Sequence, residues 1–248
     1  MLKIKELASF CLAMPEKINN EDACLNPYMN KNDCVYFAVA DGVGSLEGAD
    51  NASTIAIDCL TNELKDADVN LDNVFVKTKL KLDELSILNK DFSRAATTLT
   101  IIKVSDSNLE IAHVGDSRVY YKDDKNRLKQ LTKDHSKYQE LVDSKEHSLK
   151  KLREHKDRLS RVLTKAISKD YEVEYEKYSY PLHDLTVHDG CIFLYAMTDG
   201  AYNHWEKRPR LSEKSMSSPI FFASSLKKRI ERRTPEDDYT LITVSISI

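Results

Sequence analysis

The sequence predicts an α+β layered sandwich built mostly from antiparallel strands. Short apolar runs at 98–104, 109–114 and 118–121 follow one another through the polar turns Ser105-Asp106-Ser107-Asn108 and Gly115-Asp116-Ser117. Connections that short require antiparallel pairing. Two segments of helical period, 51–64 and 71–88, stand together between strand-like runs. Strands interleaved with helix pairs need layers in which helices cover the faces of sheets.

In chain order, Val35-Tyr36-Phe37-Ala38-Val39-Ala40 reads as a buried strand that runs into Asp41. The helix at 51–64 follows from the apolar positions Ile55, Ile57, Cys59, Leu60 and Leu64, and a second helix is expected at 71–88. After the three antiparallel strands, the segment 136–163 is highly charged and helix-like. Its sparse apolar residues predict a protruding, partly exposed element. A strand at 192–197, a helix at 219–232 and a last strand at 240–248 complete the pattern. No repeat, low-complexity segment or Pro/Gly-rich linker interrupts it. The chain has six Gly and six Pro, and most of the Gly fall inside the motifs below, where the backbone must turn sharply or approach a ligand.

The 248 residues suffice for one sizeable domain or two small ones with a real core. With 41% hydrophobic and 31% charged residues and a formal net charge of −3, the composition is that of a soluble globule and offers no nucleic-acid footprint. Lys227-Lys228-Arg229 and Arg232-Arg233 read as the solvated face of a C-terminal helix. Five cysteines without a CxxC spacing read as reduced, mostly structural thiols rather than a disulfide frame or a zinc site. No apolar stretch approaches the length of a membrane span. A soluble, cytoplasmic protein with no membrane partner is expected.

Four short acidic segments carry the strongest functional signal: Asn20-Glu21-Asp22-Ala23, Asp41-Gly42-Val43-Gly44-Ser45, Asp199-Gly200 and Asp237-Asp238-Tyr239-Thr240. Asp41 ends one apolar strand, Ile192-Phe193-Leu194-Tyr195-Ala196-Met197 leads almost directly into Asp199, and Asp237 precedes Leu241-Ile242-Thr243-Val244. A carboxylate at the mouth of a hydrophobic strand is costly to desolvate without a partner. Several that converge with few basic residues alongside are best explained by hard divalent cations at a shared strand edge. The plainer alternative for each is an ordinary Asp-containing turn.

Taken in order with Ala96-Thr97-Thr98, Val114-Gly115-Asp116-Ser117-Arg118 and Leu131-Thr132-Lys133-Asp134-His135-Ser136, these segments resemble the metal-dependent PP2C (PPM) serine/threonine phosphatases, and most of all the short bacterial members. The resemblance covers 17–244 and implies a single domain over 1–248 with a flap-like insertion around 136–163. It implies a four-layer α/β/β/α sandwich, two antiparallel sheets flanked by helix pairs. It also implies a site holding two Mn²⁺ or Mg²⁺ ions, with Asp116 at the position of a third. Asp41 corresponds to the carboxylate that bridges the ions, with the Gly42 carbonyl beside it. Asp199 and Asp237 correspond to ligands of the second ion, and Glu21 and Asp22 to the acidic pair that holds the metals directly or through waters. Asp41, Asp199 and Asp237 form the expected catalytic set. Oxygen ligands suit these cations, and no Cys/His set suits zinc. The implied partner is a phosphorylated protein, with a cognate Ser/Thr kinase, and a monomer is expected.

The chain departs from the family pattern at several positions. Lys17 stands where an arginine usually grips the substrate phosphate, so charge is kept but the bidentate fork is lost. Arg94 and Arg118 are other candidates, although Arg118 is better suited to a structural pair within its own motif. Val43 replaces a histidine proposed as general acid in many eukaryotic relatives, so a water or a nearby acid would protonate the leaving oxygen. Ser45 and Ala96 replace glycines, and Asp238 replaces an asparagine, adding negative charge. These departures motivate a second reading, a catalytically weak or inactive regulator that binds phosphorylated partners. A third reading is an active phosphatase for small phosphoesters. His113 reads as a core histidine and His135 as a structural member of its turn, and Trp205 either lines a groove or packs under the loop after Asp199.

Overall fold

The continuous apolar runs become strands covered on both faces. The structure, a computed structural model, describes residues 2–44, 46–66, 69–170 and 172–248, so Ser45 lies outside the described residues. The first half contains β1 (Lys3–Leu12), β2 (Asp22–Met29), β3 (Val35–Asp41), α1 (Ala49–Glu63), α2 (Leu71–Leu88), β4 (Ala96–Thr97), β5 (Leu99–Val104), β6 (Asn108–Val114) and β7 (Arg118–Lys122). Then follow β8 (Leu128–Gln130), α3 (Lys137–Ser144), α4 (Leu149–Glu154), α5 (Lys156–Ser160), β9 (Ile167–Ser168) and β10 (Glu176–Pro181). The chain ends with β11 (Cys191–Met197), α6 (Asp199–Glu206), α7 (Glu213–Met216), α8 (Pro219–Glu231) and β12 (Tyr239–Ser247).

Two five-stranded sheets form, ordered β1-β12-β11-β7-β8 and β10-β6-β5-β3-β2, and β4 pairs with β9. Every described pairing is antiparallel. Along β3 the side chains alternate between two cores. Val35, Phe37 and Val39 face the space between the sheets with Leu194, Val244 and Ile246. Tyr36, Ala38 and Ala40 face Ala56, Leu60 and Phe75 of the α1–α2 pair. In the same way Tyr195, Met197 and Leu241 meet Trp205, Phe222 and Leu226 of α6 and α8. The result is the expected four-layer α/β/β/α sandwich. Burying each such Leu or Phe contributes about 1.5–3 kcal/mol.

The strands not anticipated from sequence are edges or short pieces. β1 carries exposed Lys3 and Lys5, charges that mark an edge strand and break the apolar run. β2 has a register shift between Leu25 and Tyr28, so Pro27 sits where no ladder donor is needed. The charged 136–163 segment folds as α3–α5. Its ends are tied together by a Ser136–Leu163 bridge, by Lys137 N donating to Val162 O at 2.9 Å and by Thr164 N donating to His135 O at 2.9 Å. Among the described residues, no helix is long and apolar enough to cross a membrane.

His113 on β6 is fully buried, as its strand pattern predicts. Its Nε2–H donates to the Lys133 carbonyl at 3.0 Å, which leaves Nδ1 to accept from the Thr100 hydroxyl at 2.8 Å. Burial, aided by His135, pushes its pKa from 6.5 down to about 3. The native state therefore refuses a proton that the unfolded chain accepts. The stabilisation from keeping His113 neutral is complete above pH 6.5 and is lost as pH falls toward about 3. Urea unfolding at stepped pH is expected to show wild type losing up to about 1.4 kcal/mol per pH unit more than His113→Gln within that window.

Candidate metal centre

Strand register brings the acidic segments to one end of the sandwich. Asp22 of β2 and Asp41 of β3 are direct partners in the ladder. In the other sheet Met197 lies opposite both Leu241 and Arg118. The residues just beyond those positions, Thr198-Asp199, Asp237–Thr240 and Asp116-Ser117, therefore share that end. The Asp22 carboxylate joins the two sheets there. Asp22 Oδ2 accepts the Thr198 hydroxyl at 2.8 Å and the Thr240 hydroxyl at 2.7 Å, both from the opposite sheet.

The neighbours of Asp41 fix its backbone. Asp41 N donates to Thr98 Oγ1 at 2.9 Å, Thr98 N donates to Asp41 O at 2.8 Å, and Thr97 Oγ1 donates to Asp41 O at 3.1 Å. Gly42 N donates to the Glu21 carbonyl at 2.9 Å. A Cβ at Gly42 would lie 2.3 Å from Ala49 O, and one at Gly44 would lie 2.4 Å from Glu21 Oε2. Close backbone approach and room for the Glu21 carboxylate are what these glycines provide. At the start of α6, a Cβ on Gly200 would fall 2.0 Å from the Asp238 carbonyl, which locks Asp199 against the β12 strand start.

The electrostatics are those of crowded anions. Burial raises Asp41 well above the ordinary carboxylate range, and the charges of Asp22, Asp199, Asp116 and Asp237 raise it further. Burial also raises Asp22 and Asp116, and with help from Asp237 it lifts Asp199 to about 6. Asp237 rises for the same reason. The buried cation nearby is already committed: the Arg118 guanidinium grips Asp134 through Nε at 2.8 Å and Nη2 at 2.6 Å, contacts Glu206, and lies over the Tyr202 ring. Among the described residues, no three His, Cys, Asp or Glu side chains are closed into one coordination shell. The site is thus a ring of mutually repelling oxygen donors without matching positive charge. That donor set fits hard divalent cations, which prefer carboxylate, carbonyl and water oxygens.

Lys17, the candidate phosphate residue, is engaged inside the protein. Its Nζ lies 2.8 Å from both Asp238 Oδ2 and Glu21 Oε2. Burial opposes its charge, but the hydrogen bonds to Asp238 and Glu21 outweigh it and raise its pKa. Asp238 also accepts Met14 N at 2.9 Å and Glu21 N at 2.6 Å, so this buried carboxylate holds the 14–21 segment onto the start of β12. Arg94 is exposed, and so is Arg161, whose charge lowers the pKa values of Asp199 and Asp237. His135 takes the structural role, its Nδ1 accepting Gly115 N at 2.9 Å. Trp205 packs against Phe222 in the core instead of lining a groove. Sequence reasoning missed Thr198 and Thr240, whose hydroxyls carry the Asp22 carboxylate. Their place beside Asp199 and Asp237–Asp238 was the available signal.

The fold is that of a class of protein phosphatases. A family model described as protein phosphatase 2C matches residues 14–239, and the chain belongs to that family. The serine/threonine phosphatase stp of Listeria welshimeri is 30% identical over 164 residues, which cover 62% of this chain and 64% of that protein. The match thus spans less than two thirds of that relative's length. Among solved structures, the serine/threonine phosphatase Stp1 of Staphylococcus aureus superposes with a TM-score of 0.79 at 19% identity, covering 98% of this chain and 95% of that one. The catalytic domain of the serine/threonine protein phosphatase PstP, in complex with two manganese ions, gives 0.74 at 22% identity over the whole of both chains.

Because Asp238 gathers three donors, Asp238→Ala is expected to release the 14–21 segment. Hydrogen bonds to a buried charge contribute about 1.5–3 kcal/mol. Amide exchange at Met14 and Glu21 should therefore accelerate by roughly tenfold to a hundredfold, while amides of the β3–β5 ladder stay protected.

Proposed function

We propose that this chain hydrolyses phosphoserine and phosphothreonine esters in proteins with the help of bound Mn²⁺ or Mg²⁺. One observation carries the reading: Asp22, Asp41, Asp116, Asp199 and Asp237 crowd together at one end of the sandwich and raise one another's pKa values without a matching set of cations. Asp41 would bridge two ions with the Gly42 carbonyl beside it, Asp199 and Asp237 would complete the second, and Asp116 would serve a third. Glu21 and Asp22 would act close by, Asp22 with its Oδ2 held by the Thr198 and Thr240 hydroxyls. When bound, two divalent cations lower the pKa of a water enough to supply hydroxide near neutral pH. This chain's own part is to fix the carboxylates rigidly through the Thr97-Thr98 cradle and the Gly42 and Gly200 contacts. A cognate kinase would generate the phosphorylated protein, and 136–163 would border its access as a flap.

A second reading has one observation in its favour. Lys17 is held by Asp238 and Glu21 rather than standing free for phosphate, which suits a regulator that binds phosphorylated partners and leaves them intact. Phosphate release from a phosphopeptide separates the two readings. Turnover is expected with Mn²⁺ or Mg²⁺ and none with EDTA. Asp41→Asn is expected to fall by two orders of magnitude or more, since metal-borne charge stabilisation amounts to several kcal/mol. Binding without turnover by folded wild type under every metal would instead establish the regulator.

A further inference from the structure

Positive charge is gathered on one part of the surface. Residues 207–233 hold nine lysines and arginines against Glu213 and Glu231, a net charge of +7 in a chain whose total is −3. The remainder of the chain therefore carries −10. An asymmetry of that size draws anions toward the basic side.

Two segments build the patch. Lys207, Arg208 and Arg210 follow α6, and Lys228, Arg232 and Arg233 lie at the end of α8; all six are exposed. The Arg229 guanidinium joins the segments, its Nη1 donating to the Arg208 carbonyl at 2.6 Å and its Nη2 to the Arg210 carbonyl at 2.5 Å. It also lies over the Trp205 ring, 5.9 Å from the centroid. Burial, together with the charges of Arg208 and Arg233, lowers the Arg229 pKa, as converging cations should. Lys227 faces Glu231 at 3.7 Å, but among the described residues none of the six has a carboxylate within 4.0 Å. Like charges held together without counter-charge oppose the compact state, and an anion from outside relieves them.

The patch lies within a short reach of the acidic centre. α6 leads from Asp199 to the patch in eight residues, about 12 Å at the helical rise. Arg233 precedes Asp237 by four positions, a span of roughly 14 Å at most. An extended peptide covers such a distance with about four residues.

We propose that Lys207, Arg208, Arg210, Lys228, Arg232 and Arg233 form a docking surface for an acidic segment of the phosphorylated protein partner. The proposal rests on the reading that this chain binds phosphorylated proteins, and it names the kind it selects: those with acidic residues a few positions from the phosphorylated one. Such a partner is anionic throughout, and most of this chain repels it. The patch supplies attraction beside the site, and its charges steer the partner there before the phosphate is engaged.

The test reads binding, so it does not depend on turnover. Fluorescein-labelled peptides carry a phosphonate analogue of phosphoserine, whose carbon–phosphorus bond resists hydrolysis, flanked by glutamates, alanines or lysines. Anisotropy titrations use the full chain with Mn²⁺. The glutamate-flanked peptide is expected to bind roughly tenfold tighter than the alanine-flanked one, as several exposed ion pairs together provide. The lysine-flanked peptide should bind more weakly than either. The preference should vanish near 1 M salt, where the screening length is about 3 Å. Arg208→Glu with Arg233→Glu should invert it, and the milder Arg208→Gln with Arg233→Gln should remove most of it. Equal affinity of wild type for glutamate and alanine flanks, or a preference that survives both double variants, would overturn the proposal. So would displacement of the glutamate-flanked peptide by phosphatidylglycerol vesicles that bind more tightly, which would assign the patch to a membrane. Absence of p-nitrophenyl phosphate turnover by wild type would strike the hydrolysis reading alone and leave the affinity ratio standing.

Discussion

The carboxylate of Asp22 is the point on which the acidic end of the sandwich depends. It belongs to one sheet and takes its hydroxyl donors, Thr198 and Thr240, from the other. Most side chains packed between the two sheets are apolar, and such contacts are non-directional and specify spacing better than register. Two short hydrogen bonds to a buried anion add the direction that packing lacks. They bring Asp41, Asp22's ladder partner, opposite Asp199, which directly follows Thr198 in the chain.

Around that clamp the protein keeps negative charge together by rigid backbone contacts. Gly42 and Gly200 permit approaches that any side chain would block, and Thr97 and Thr98 close hydrogen bonds around the Asp41 peptide. Positive charge is placed with equal care. Arg118 is consumed by Asp134 and Glu206, and Lys17 by Glu21 and Asp238. The Asp238 and Lys17 departures from the family pattern thus form one internal pair, in which the added negative charge meets the substituted cation.

Much of this was legible in the sequence, for identifiable reasons. Strands β3, β11 and β12 bury both faces, so they read as continuous apolar runs, and each runs into or out of an acidic motif. The helices α1 and α2 kept their apolar period and were placed within two residues at each end. Edge strands were not legible, because Lys3 and Lys5 on β1 and the Pro27 bulge on β2 break the patterns by which strands are recognised. The acidic residues could be named from their order, but their supports could not. Thr198 and Thr240 stand next to the acidic motifs in the sequence, but their hydroxyl contacts to Asp22 are set by three-dimensional register and could not be read from that position alone. Lys17 could be placed at its motif position, while its capture by Asp238, some two hundred residues away in the chain, required the fold.

The tied ends of the 136–163 segment have a consequence for how such a protein diversifies. Because Lys137 meets Val162 and Thr164 meets His135, the excursion through α3–α5 leaves the sandwich and returns to it through one neck. A loop closed at its own base can be lengthened, shortened or rewritten with little effect on the strands that carry the carboxylates. The chain is in effect an interchangeable cassette mounted on a fixed anvil, so its outer shape can drift quickly while its acidic end stays put.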